Sequence, residues 1–477
     1  MKAKIVIVVQ LVIIVALAAG LLTRYISLRE TKPVVREPRA PGEATLSYTP
    51  PPPPAFSVDS LKRLAEFKKE FTPAVDKITD RIYLARGFAL GNVGLVVTDE
   101  GLVVVDATES RAAAGDILAR FREITDLPVK YIIYTHAHPD HVFGTPVFFQ
   151  PGVEVIATRE AARLMDDWYG TLQPFVDRCR ENQAGRLAPE YAFKLPFAGP
   201  FKPEEKRELI RPTIVFDEEY AFDLGGVRFE LFHTQGETTD HLMIVLPGEK
   251  ALFPGDLYYY SFPNLSTPML EARPVKEWHE SLDRMIALKP QYLVPGHGRA
   301  IVGEENILGV LANYSRAIRF VREETIKAVN QGLSAAEAVE RVKLPADLAG
   351  LPFLQEYYGR VDWAVRGLYR GLTGWYDGRG TGLNPLPPRH LAGELVGLAG
   401  GADKLLARAM ALQNGGEHQL ACEVCDVVLA ANPGDKTARV IKAVSLDYLG
   451  ALSGNLNMFG FYRSAAALER AAAGVKP

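Results

Sequence analysis

The chain has 477 residues, of which 54 are basic and 57 are acidic, and 48% are hydrophobic. This length is too great for one ordinary hydrophobic core and predicts two or three domains. The net charge of -3 lacks the basic excess that nucleic-acid binding requires, so we expect no nucleic-acid partner.

The first segment, residues 1–30, is markedly apolar. Ile5–Leu22 spans eighteen residues with Gln10 as its one strongly polar side chain, long enough to cross a bilayer as a single helix. We expect an uncleaved membrane anchor; a signal peptide cleaved after Ala16-Leu-Ala18 is the alternative. Residues 31–56 are rich in proline and predict an extended linker, with a disordered processed segment as the competing interpretation.

Strand and helix patterns alternate after residue 57. Gly91–Thr98 and Gly101–Asp106 are rich in β-branched residues and predict two strands joined by a turn. Arg111–Glu123 has apolar residues at helical spacing, and Val129–Tyr134 predicts a further buried strand. This last strand leads directly into a histidine-rich loop.

The loop Tyr134-Thr-His-Ala-His-Pro-Asp-His141 contains three of the nine histidines in the chain. Side chains that alternate along an extended segment point to opposite sides, so the loop cannot surround one ion by itself. Two adjacent ions solve the difficulty, because His136 and His138 can face one while Asp140 and His141 face the other. Imidazole and carboxylate ligands favour zinc, with manganese or iron as alternatives. The competing interpretation is a surface loop that is rich in histidine by chance.

Further candidate ligands follow later strand-like runs. Glu237 lies in a Gly-containing turn between two mostly apolar runs, Asp256 ends the short run Ala251–Gly255, and His297 stands between two glycines just past another strand. Each of these side chains is placed where a predicted strand stops and a loop begins.

These spaced elements resemble the metallo-β-lactamase superfamily from about Ile78 to Val310. The resemblance rests on the order His-x-His-x-Asp-His, a Gly-containing turn, Gly-Asp and Gly-His-Gly. It implies an αββα sandwich with two metal ions, expected to be Zn²⁺, at one edge. The implied ligands are His136, His138 and Glu237 for the first ion, Asp140, His141 and His297 for the second, and Asp256 as the bridge between them. It also implies that Asp106 orients the loop, because ligating imidazoles need a partner for their other nitrogen; a satisfied buried strand end is the alternative.

Glu237 stands where most of the superfamily has a third histidine, and a glutamate here is typical of the alkyl sulfatase branch. Glu356–Gly378 looks like the YGxVxxxVRxxxxxxxGWxDG signature of that branch's dimerisation region, and Leu420–Pro433 continues a helical, tetratricopeptide-like portion. The resemblance implies an α+β chain, in which the sandwich precedes an all-α region, and a homodimer. The apolar stripes of these helices could equally complete the core of a monomer.

The resemblance is incomplete at residues expected to contact the substrate. Asp256 stands where relatives usually have a bridging glutamate, Met269 stands near the place of a sulfate-holding arginine, and Trp363 replaces a histidine thought to protonate the leaving group. The lipid-carrier-like C-terminal domain common in the family is not expected, since the sequence ends at Pro477. The candidate site residues are then Asp140, Asp256, Tyr258 and His241 for catalysis, with His279, Tyr259 and Tyr260 as alternative donors, and Asn264, Thr267 and Arg273 for substrate binding.

Two other parts of the chain carry structural expectations. Ala161–Arg211 predicts a wall or lid of the cleft, although each of its aromatic residues could simply pack; they include Trp168, Tyr169, Phe175, Tyr191, Phe193 and Phe197. From Glu304 onward the pattern becomes helical, and Ser334 and Glu337 have the spacing of a capping box. Cys179, Cys422 and Cys425 are expected to be buried apolar residues rather than a redox or zinc site.

The sequence therefore predicts four segments: an anchor or signal at 1–30, a linker at 31–56, a catalytic domain at 57–310 and a helical region at 311–477. The expected protein is an exported hydrolase on the periplasmic side of the membrane that uses a hydroxide between two zinc ions to cleave a sulfate ester. One alternative is a hydrolase of the same fold for a lactone, β-lactam, thioester or carboxylic ester. Another is an anchored, non-catalytic interaction module.

Overall fold

A computed structural model describes residues 48–51, 57–192, 207–269 and 273–476. Within these residues two β-sheets face each other, helices cover both outer faces, and a bundle of helices follows. The predicted αββα sandwich with a helical C-terminal region is confirmed.

The first sheet has seven strands in the order β1 to β7. Neighbours from β1 to β4 are antiparallel, and neighbours from β4 to β7 are parallel. The strands are β1 Ala74–Lys77, β2 Ile82–Arg86, β3 Val93–Val97, β4 Leu102–Val105, β5 Val129–Ile133, β6 Glu154–Thr158 and β7 Ile214–Phe216.

The second sheet has six strands in the order β13, β12, β11, β10, β9, β8. Its neighbours are antiparallel except for the parallel pair β11 and β12. The strands are β8 Glu219–Leu224, β9 Val227–His233, β10 Leu242–Leu246, β11 Ala251–Gly255, β12 Tyr292–Pro295 and β13 Ile301–Val302.

Alternation of side chains along each strand builds three hydrophobic layers. Val103 and Ile133 of the first sheet meet Phe229 and Phe253 of the second in the layer between the sheets. Helices cover the opposite face of the first sheet with side chains such as Phe121. Other helices cover the outer face of the second sheet with side chains such as Trp278. The central strands β3, β4, β10 and β11 are therefore buried on both faces, which explains their continuous apolar runs, whereas β8 alternates between exposed and partly buried residues.

The helices of the catalytic part lie on the outer faces of the sheets and at the mouth of the cleft between them. They are α1 Val58–Lys68, α2 Arg111–Arg122, α3 Pro139–Val142, α4 Arg159–Asp166, α5 Gln173–Gln183, α6 Val275–Ala287 and α7 Glu304–Asn330.

The C-terminal region consists of helices in the described residues. They are α8 Ala335–Arg341, α9 Ala346–Ala349, α10 Val361–Thr373, α11 Pro388–Leu398, α12 Ala402–Asn414, α13 His418–Ala431, α14 Lys436–Ser453 and α15 Leu456–Ala473. The predicted capping box is present at α8, where the Ser334 side chain accepts from the backbone of Glu337 and the Glu337 side chain accepts from the backbone of Ser334. The three cysteines are buried and unbonded to one another, as expected.

Some sequence predictions fall outside the described residues. The proposed anchor at 1–30 is among them, and so are Phe193 and Phe197 of the insertion. No helix of the described residues is long and apolar enough to span a bilayer. The division at 310 stays a prediction, since α7 runs through it without a break.

Candidate metal centre

All seven predicted ligands lie in the segments that follow strands of the two sheets. β5 delivers the loop with His136, His138, Asp140 and His141, while β11 ends next to Asp256 and β12 ends two residues before His297. The β9–β10 connection carries Glu237. Because the neighbours within β4–β5 and β11–β12 are parallel, their carboxyl ends open into one crevice, the usual place for a site in such sheets.

His136, His138, Glu237 and Asp256 form one side of this cluster. Nε2 of His136 is 2.9 Å from Nδ1 of His138 and 3.7 Å from Oδ2 of Asp256. His138, Glu237 and Asp256 each place one ligand atom within 4.8 Å of the others. Of the set predicted for the first ion, His138 and Glu237 thus lie together with Asp256, while His136 contacts His138 and also lies within 4.8 Å of ligand atoms of His141 and Asp256.

Asp140, His141 and His297 form the other side, and their ligand atoms also lie within 4.8 Å of one another. Oδ2 of Asp256 is 3.5 Å from Nε2 of His141 and 3.0 Å from Nε2 of His297. Asp256 therefore lies between the two sides, in the position expected of a bridging ligand. The close approach also requires Gly296, because a Cβ at that residue would lie 2.4 Å from Oδ1 of Asp256.

The buried donor atoms fit divalent metal ions. Among the described residues, Nε2 of His141, Oε2 of Glu237 and Oδ1 of Asp256 are buried without a hydrogen-bond partner. Unpaired buried polar atoms are costly, and these three belong to one cluster of imidazoles and carboxylates. Nitrogen and oxygen donors in this mixture suit zinc and similar transition metals.

Neighbouring groups hold the ligands in place from behind. Oδ2 of Asp106 is 2.8 Å from Nδ1 of His141, and this carboxylate also accepts hydrogen bonds from the backbone and hydroxyl of Thr135, each at 2.8 Å. The orienting contact expected of Asp106 is confirmed. Asp240 accepts from the backbone N–H of Ala137 at 2.7 Å, which fixes the loop from the other side.

The same crowding shifts the proton affinities of the ligands. Burial raises the pKa of Glu237 to about 7 although Arg273 opposes the rise. Burial lowers the pKa of His297, but the Asp256 carboxylate more than compensates and the result is about 9. These two groups retain protons that a bound cation would displace, so metal binding is expected to release protons.

A pocket opens above the cluster. Its wall includes Asp140, Glu237, Asp256 and His297 together with residues of α1, α5, the 256–264 loop and the helical region. Sequence reasoning missed several of these side chains, including Phe67, Glu109, Arg180, Gln183, Arg186 and Leu456. No local pattern indicates them, because they come from elements that meet only in the folded chain.

Predicted substrate residues divide between the pocket and its surroundings. Asn264 and Arg273 line the pocket, and Nη1 of Arg273 is 3.0 Å from Oε1 of Glu237. Thr267 is buried but is not part of the lining. Trp168 of the insertion stacks on His138, with ring centroids 5.5 Å apart, but it is not among the residues that line the pocket.

Only some of the candidate proton donors line the pocket. Tyr258 is buried in the core, where its ring meets that of Tyr314, whereas Tyr259 and Tyr260 line the pocket. Nε2 of His241 accepts a hydrogen bond from the backbone N–H of Asp256 at 2.9 Å, so this ring holds the backbone of Asp256 in place. His279 lies on α6, outside the pocket lining.

Two family models match the chain in the order expected. The metallo-beta-lactamase superfamily matches residues 86–297, and alkyl sulfatase dimerisation matches residues 334–471. The stereoselective inverting sec-alkylsulfatase of a Pseudomonas species has a similar solved structure, with a TM-score of 0.78 and 21% identity over 92% of this chain and 75% of that chain. At that identity, the likeness shows the fold.

Proteins of similar sequence indicate which branch of the superfamily the chain belongs to. The linear primary-alkylsulfatase of Pseudomonas sp. (strain ATCC 19151) is 34% identical over 381 residues, which cover 77% of this chain and 72% of that protein. An (R)-specific secondary-alkylsulfatase of Pseudomonas sp. is 27% identical, and the match covers 80% of this chain and 61% of that protein. The chain thus spans between about three fifths and three quarters of these two relatives. It belongs to the alkylsulfatase family of the metallo-β-lactamase superfamily and is an alkyl sulfatase-like, metal-dependent hydrolase.

Proposed function

We propose that this protein hydrolyses the sulfate esters of alkyl alcohols. The observation that carries the proposal is that one pocket combines five of the seven predicted metal ligands, three guanidinium groups and an apolar wall. A sulfate ester with an alkyl chain has the matching parts: a compact anion next to a long apolar group.

The guanidinium groups of the pocket suit an oxyanion. Arg180, Arg186 and Arg273 line the pocket, together with Asn264. Guanidinium groups bind tetrahedral oxyanions through charge-assisted, often bidentate hydrogen bonds. Tyr259 accepts a hydrogen bond from the backbone N–H of Asn264 at 2.6 Å, so its own hydroxyl proton can be donated into the pocket.

The apolar wall suits the alkyl chain. Phe67 and Phe71 from α1 and the following turn, and Leu456 from the start of α15, pack with the tyrosines Tyr260 and Tyr358. Burial of each methylene group contributes about 0.8 kcal/mol, so an alkyl chain of several carbons gains substantial binding energy here.

We propose two zinc ions as the cofactor, held by the seven ligands described above. Two such ions would acidify a water molecule and neutralise charge on the sulfate oxygens. Asp106, Asp240 and His241 would orient the ligands through the hydrogen bonds that their side chains make. The buried site would also exclude bulk water from the reacting bond.

The test is sulfate release from octyl sulfate by the full chain, compared with hydrolysis of octyl acetate, a lactone and a β-lactam, with bound metal counted in the same preparation. We expect sulfate release, two zinc ions per chain, and loss of activity in Asp140→Ala. Activity confined to the acetate ester, the lactone or the β-lactam would instead indicate a hydrolase of the same fold that cleaves a bond other than a sulfate ester. A metal-free protein inert towards all four substrates would favour an interaction module.

We propose further that the protein is a homodimer. Support comes from the dimerisation family match and from a set of exposed apolar side chains within it, which we name the 372–398 surface. Its members are Leu372, Trp375, Tyr376, Leu383, Leu386, Leu391, Leu395 and Leu398. Trp375 is 70% exposed and Leu398 is 83% exposed, and apolar surface of this kind is typical of interfaces.

We also propose that the catalytic part is exported and held at the periplasmic side of the membrane by residues 1–30. The apolar run Ile5–Leu22 and the proline-rich residues after it support this location. Fractionation of cells that produce the full chain, followed by N-terminal sequencing, tests it. An intact N-terminus in the membrane fraction is expected, and a shortened protein in the periplasm would indicate a cleaved signal.

A further inference from the structure

We propose that Arg180, on helix α5, is the residue that binds the anionic group of the substrate. This inference rests on the proposed sulfatase function and names the side chain that performs its recognition step. The sequence assigned that role to Arg273.

The three guanidinium groups of the pocket differ in their partners. Arg186 forms a double hydrogen bond with Glu181, at 2.8 and 2.9 Å, and Nη1 of Arg273 pairs with Oε1 of Glu237 at 3.0 Å. Each of the three has one buried guanidinium nitrogen without a hydrogen-bond partner among the described residues: Nη1 of Arg180, Nη1 of Arg186 and Nε of Arg273. Arg180 differs from the other two because no acid of the described residues forms an ion pair with its side chain. Arg180 therefore has the unsatisfied charge that an incoming anion would neutralise.

The position of Arg180 brings this charge to the metal centre. Its guanidinium carbon lies 5.7 Å from the centre of the Phe143 ring, two residues beyond the ligand His141. The preceding residue, Cys179, places Sγ 3.7 Å from the carbonyl oxygen of Met269. Arg180 thus lies between the ligand loop and the loop with Asn264 and Met269.

This location compensates for the methionine at position 269. The family resemblance places a sulfate-holding arginine near that position, and α5 is packed directly on it, since Nδ2 of Asn182 is 3.1 Å from Sδ of Met269. A guanidinium from the neighbouring helix can reach the same space from the other side. Arg273 remains bound to the metal ligand Glu237, which makes it a positioning residue.

The helical region fixes α5 in the place that this role requires. Nε2 of Gln183, one turn after Arg180, donates to the hydroxyl of Tyr358 at 2.6 Å and to Oδ1 of Asn457 at 2.7 Å. Gly460 of α15 packs so closely that a Cβ would lie 1.7 Å from the carbonyl oxygen of Gln183. These contacts hold the end of α5 that follows Arg180 against the helical region before the substrate arrives.

The experiment measures binding of inorganic sulfate to the zinc-loaded full chain by calorimetry, together with KM and kcat for octyl sulfate. In Arg180→Gln we expect sulfate binding to weaken about 10- to 100-fold, as loss of a charge-assisted hydrogen bond predicts. KM should rise more than kcat falls, and bound zinc should not change. Arg180→Lys should recover part of the binding, because it restores the charge without the planar fork.

Matched variants separate this role from a general disturbance of α5. Arg178→Gln changes an exposed arginine of the same helix and should leave sulfate binding and KM unchanged. Arg186→Gln should have a smaller effect than Arg180→Gln, because Arg186 already pairs with Glu181. Circular dichroism and the melting temperature establish that each variant is folded.

Sulfate binding by folded Arg180→Gln within twofold of the wild type would overturn the inference, and so would a wild-type protein that binds no inorganic sulfate. A wild type that binds sulfate through Arg180 but hydrolyses no sulfate ester would support the inference while refuting the proposed function. If Arg180→Gln hydrolyses octyl sulfate with the same KM and kcat as the wild type, the inference is refuted while the proposed function stands.

Discussion

At the scale of single residues, the metal centre depends on a carboxylate that does not touch the expected ions. Asp106 adopts a φ of 58°, unusual for a residue other than glycine, and its carboxylate is held by Thr135 while it contacts His141. Backbone strain of this kind persists where surrounding contacts determine the geometry. Asp106 thereby keeps Nδ1 of His141 engaged and leaves Nε2 free for an ion.

Replacement of Asp106 by Asn should weaken the binding of one zinc ion by roughly 10- to 100-fold, since the amide cannot accept every hydrogen bond that the carboxylate accepts. Competition with a coloured zinc chelator measures the affinity of each ion. Asp80→Asn, at a fully exposed turn, is the control and should bind both ions normally. Unchanged affinity in Asp106→Asn would show that His141 is oriented without this carboxylate.

The cysteines offer a second prediction at this scale. Burial raises the pKa of the Cys422 thiol to about 12, and burial also raises the pKa of Cys425 and Cys179. At pH 8, four units below its pKa, only about 10⁻⁴ of Cys422 is thiolate, which is the reactive form. A thiol reagent at pH 8 should therefore label the native protein slowly, and all three thiols should react once denaturant is added. Fast labelling of the native chain would contradict the buried, apolar role.

At the scale of elements, three helices distant in sequence close the pocket: α1, α5 and α15. The start of α15 is docked by the Leu456 backbone N–H, which donates to the carbonyl of Tyr357 at 2.8 Å, and by Asn455, whose side chain donates to the carbonyl of Glu356 at 2.9 Å. The start of the segment Glu356–Gly378 thus holds α15 against the catalytic domain. Through Leu456, this helix contributes directly to the apolar wall.

Leu456→Trp should fill part of the wall and reduce kcat/KM for dodecyl sulfate about tenfold relative to butyl sulfate, because overpacking costs on the order of 1–3 kcal/mol. Steady-state kinetics on alkyl sulfates of increasing length measure the ratio. Leu468→Trp, at an exposed position of the same helix, is the matched control. An equal loss on short and long substrates would mean that Leu456 does not face the alkyl chain.

At the scale of the whole molecule, the sandwich and the helical region are joined at the site, and the 372–398 surface remains exposed in the single chain. Gln183, Tyr358 and Asn457 form one hydrogen-bonded group across the junction. We therefore expect substitutions at the metal centre or at the 372–398 surface to change stability, assembly and activity together.

The double variant Trp375→Asp and Leu398→Asp should convert the proposed dimer into a monomer, because two buried, unpaired charges at an interface are costly. Light scattering after size-exclusion chromatography measures the mass. Leu288→Asp, at an exposed apolar residue directly after α6 and outside the 372–398 surface, should remain dimeric. A wild type that is already monomeric would refute the proposed assembly.

Removal of metal should destabilise the whole chain, because Glu237 and the neighbouring carboxylates lose the cation that balances them. A ligand present at 100 to 1,000 times its Kd stabilises by about 3–4 kcal/mol, so a chelator should lower Tm by roughly 5–15 °C. Scanning calorimetry measures the shift, zinc should reverse it, and a chelator already saturated with zinc is the control. An unchanged Tm would argue against a bound ion at this centre.

The sequence by itself determined the order of the fold and the seven candidate ligands. His136, His138, Asp140 and His141 are neighbours in one loop, and Glu237, Asp256 and His297 each adjoin a run whose alternation or length predicts a strand, so local pattern was sufficient. The same holds for the capping box of Ser334 and Glu337, because the residues that form it are three positions apart.

Only the tertiary structure decided which side chains surround the substrate. Tyr258 and Tyr259 are adjacent in sequence, yet one is packed against Tyr314 in the core and the other lines the pocket. Arg180, Gln183 and Leu456 reach the pocket because α5 and α15 pack on each other across 270 or more residues of chain. Such long-range contacts follow from the packing of whole elements, and no spacing in the sequence records them.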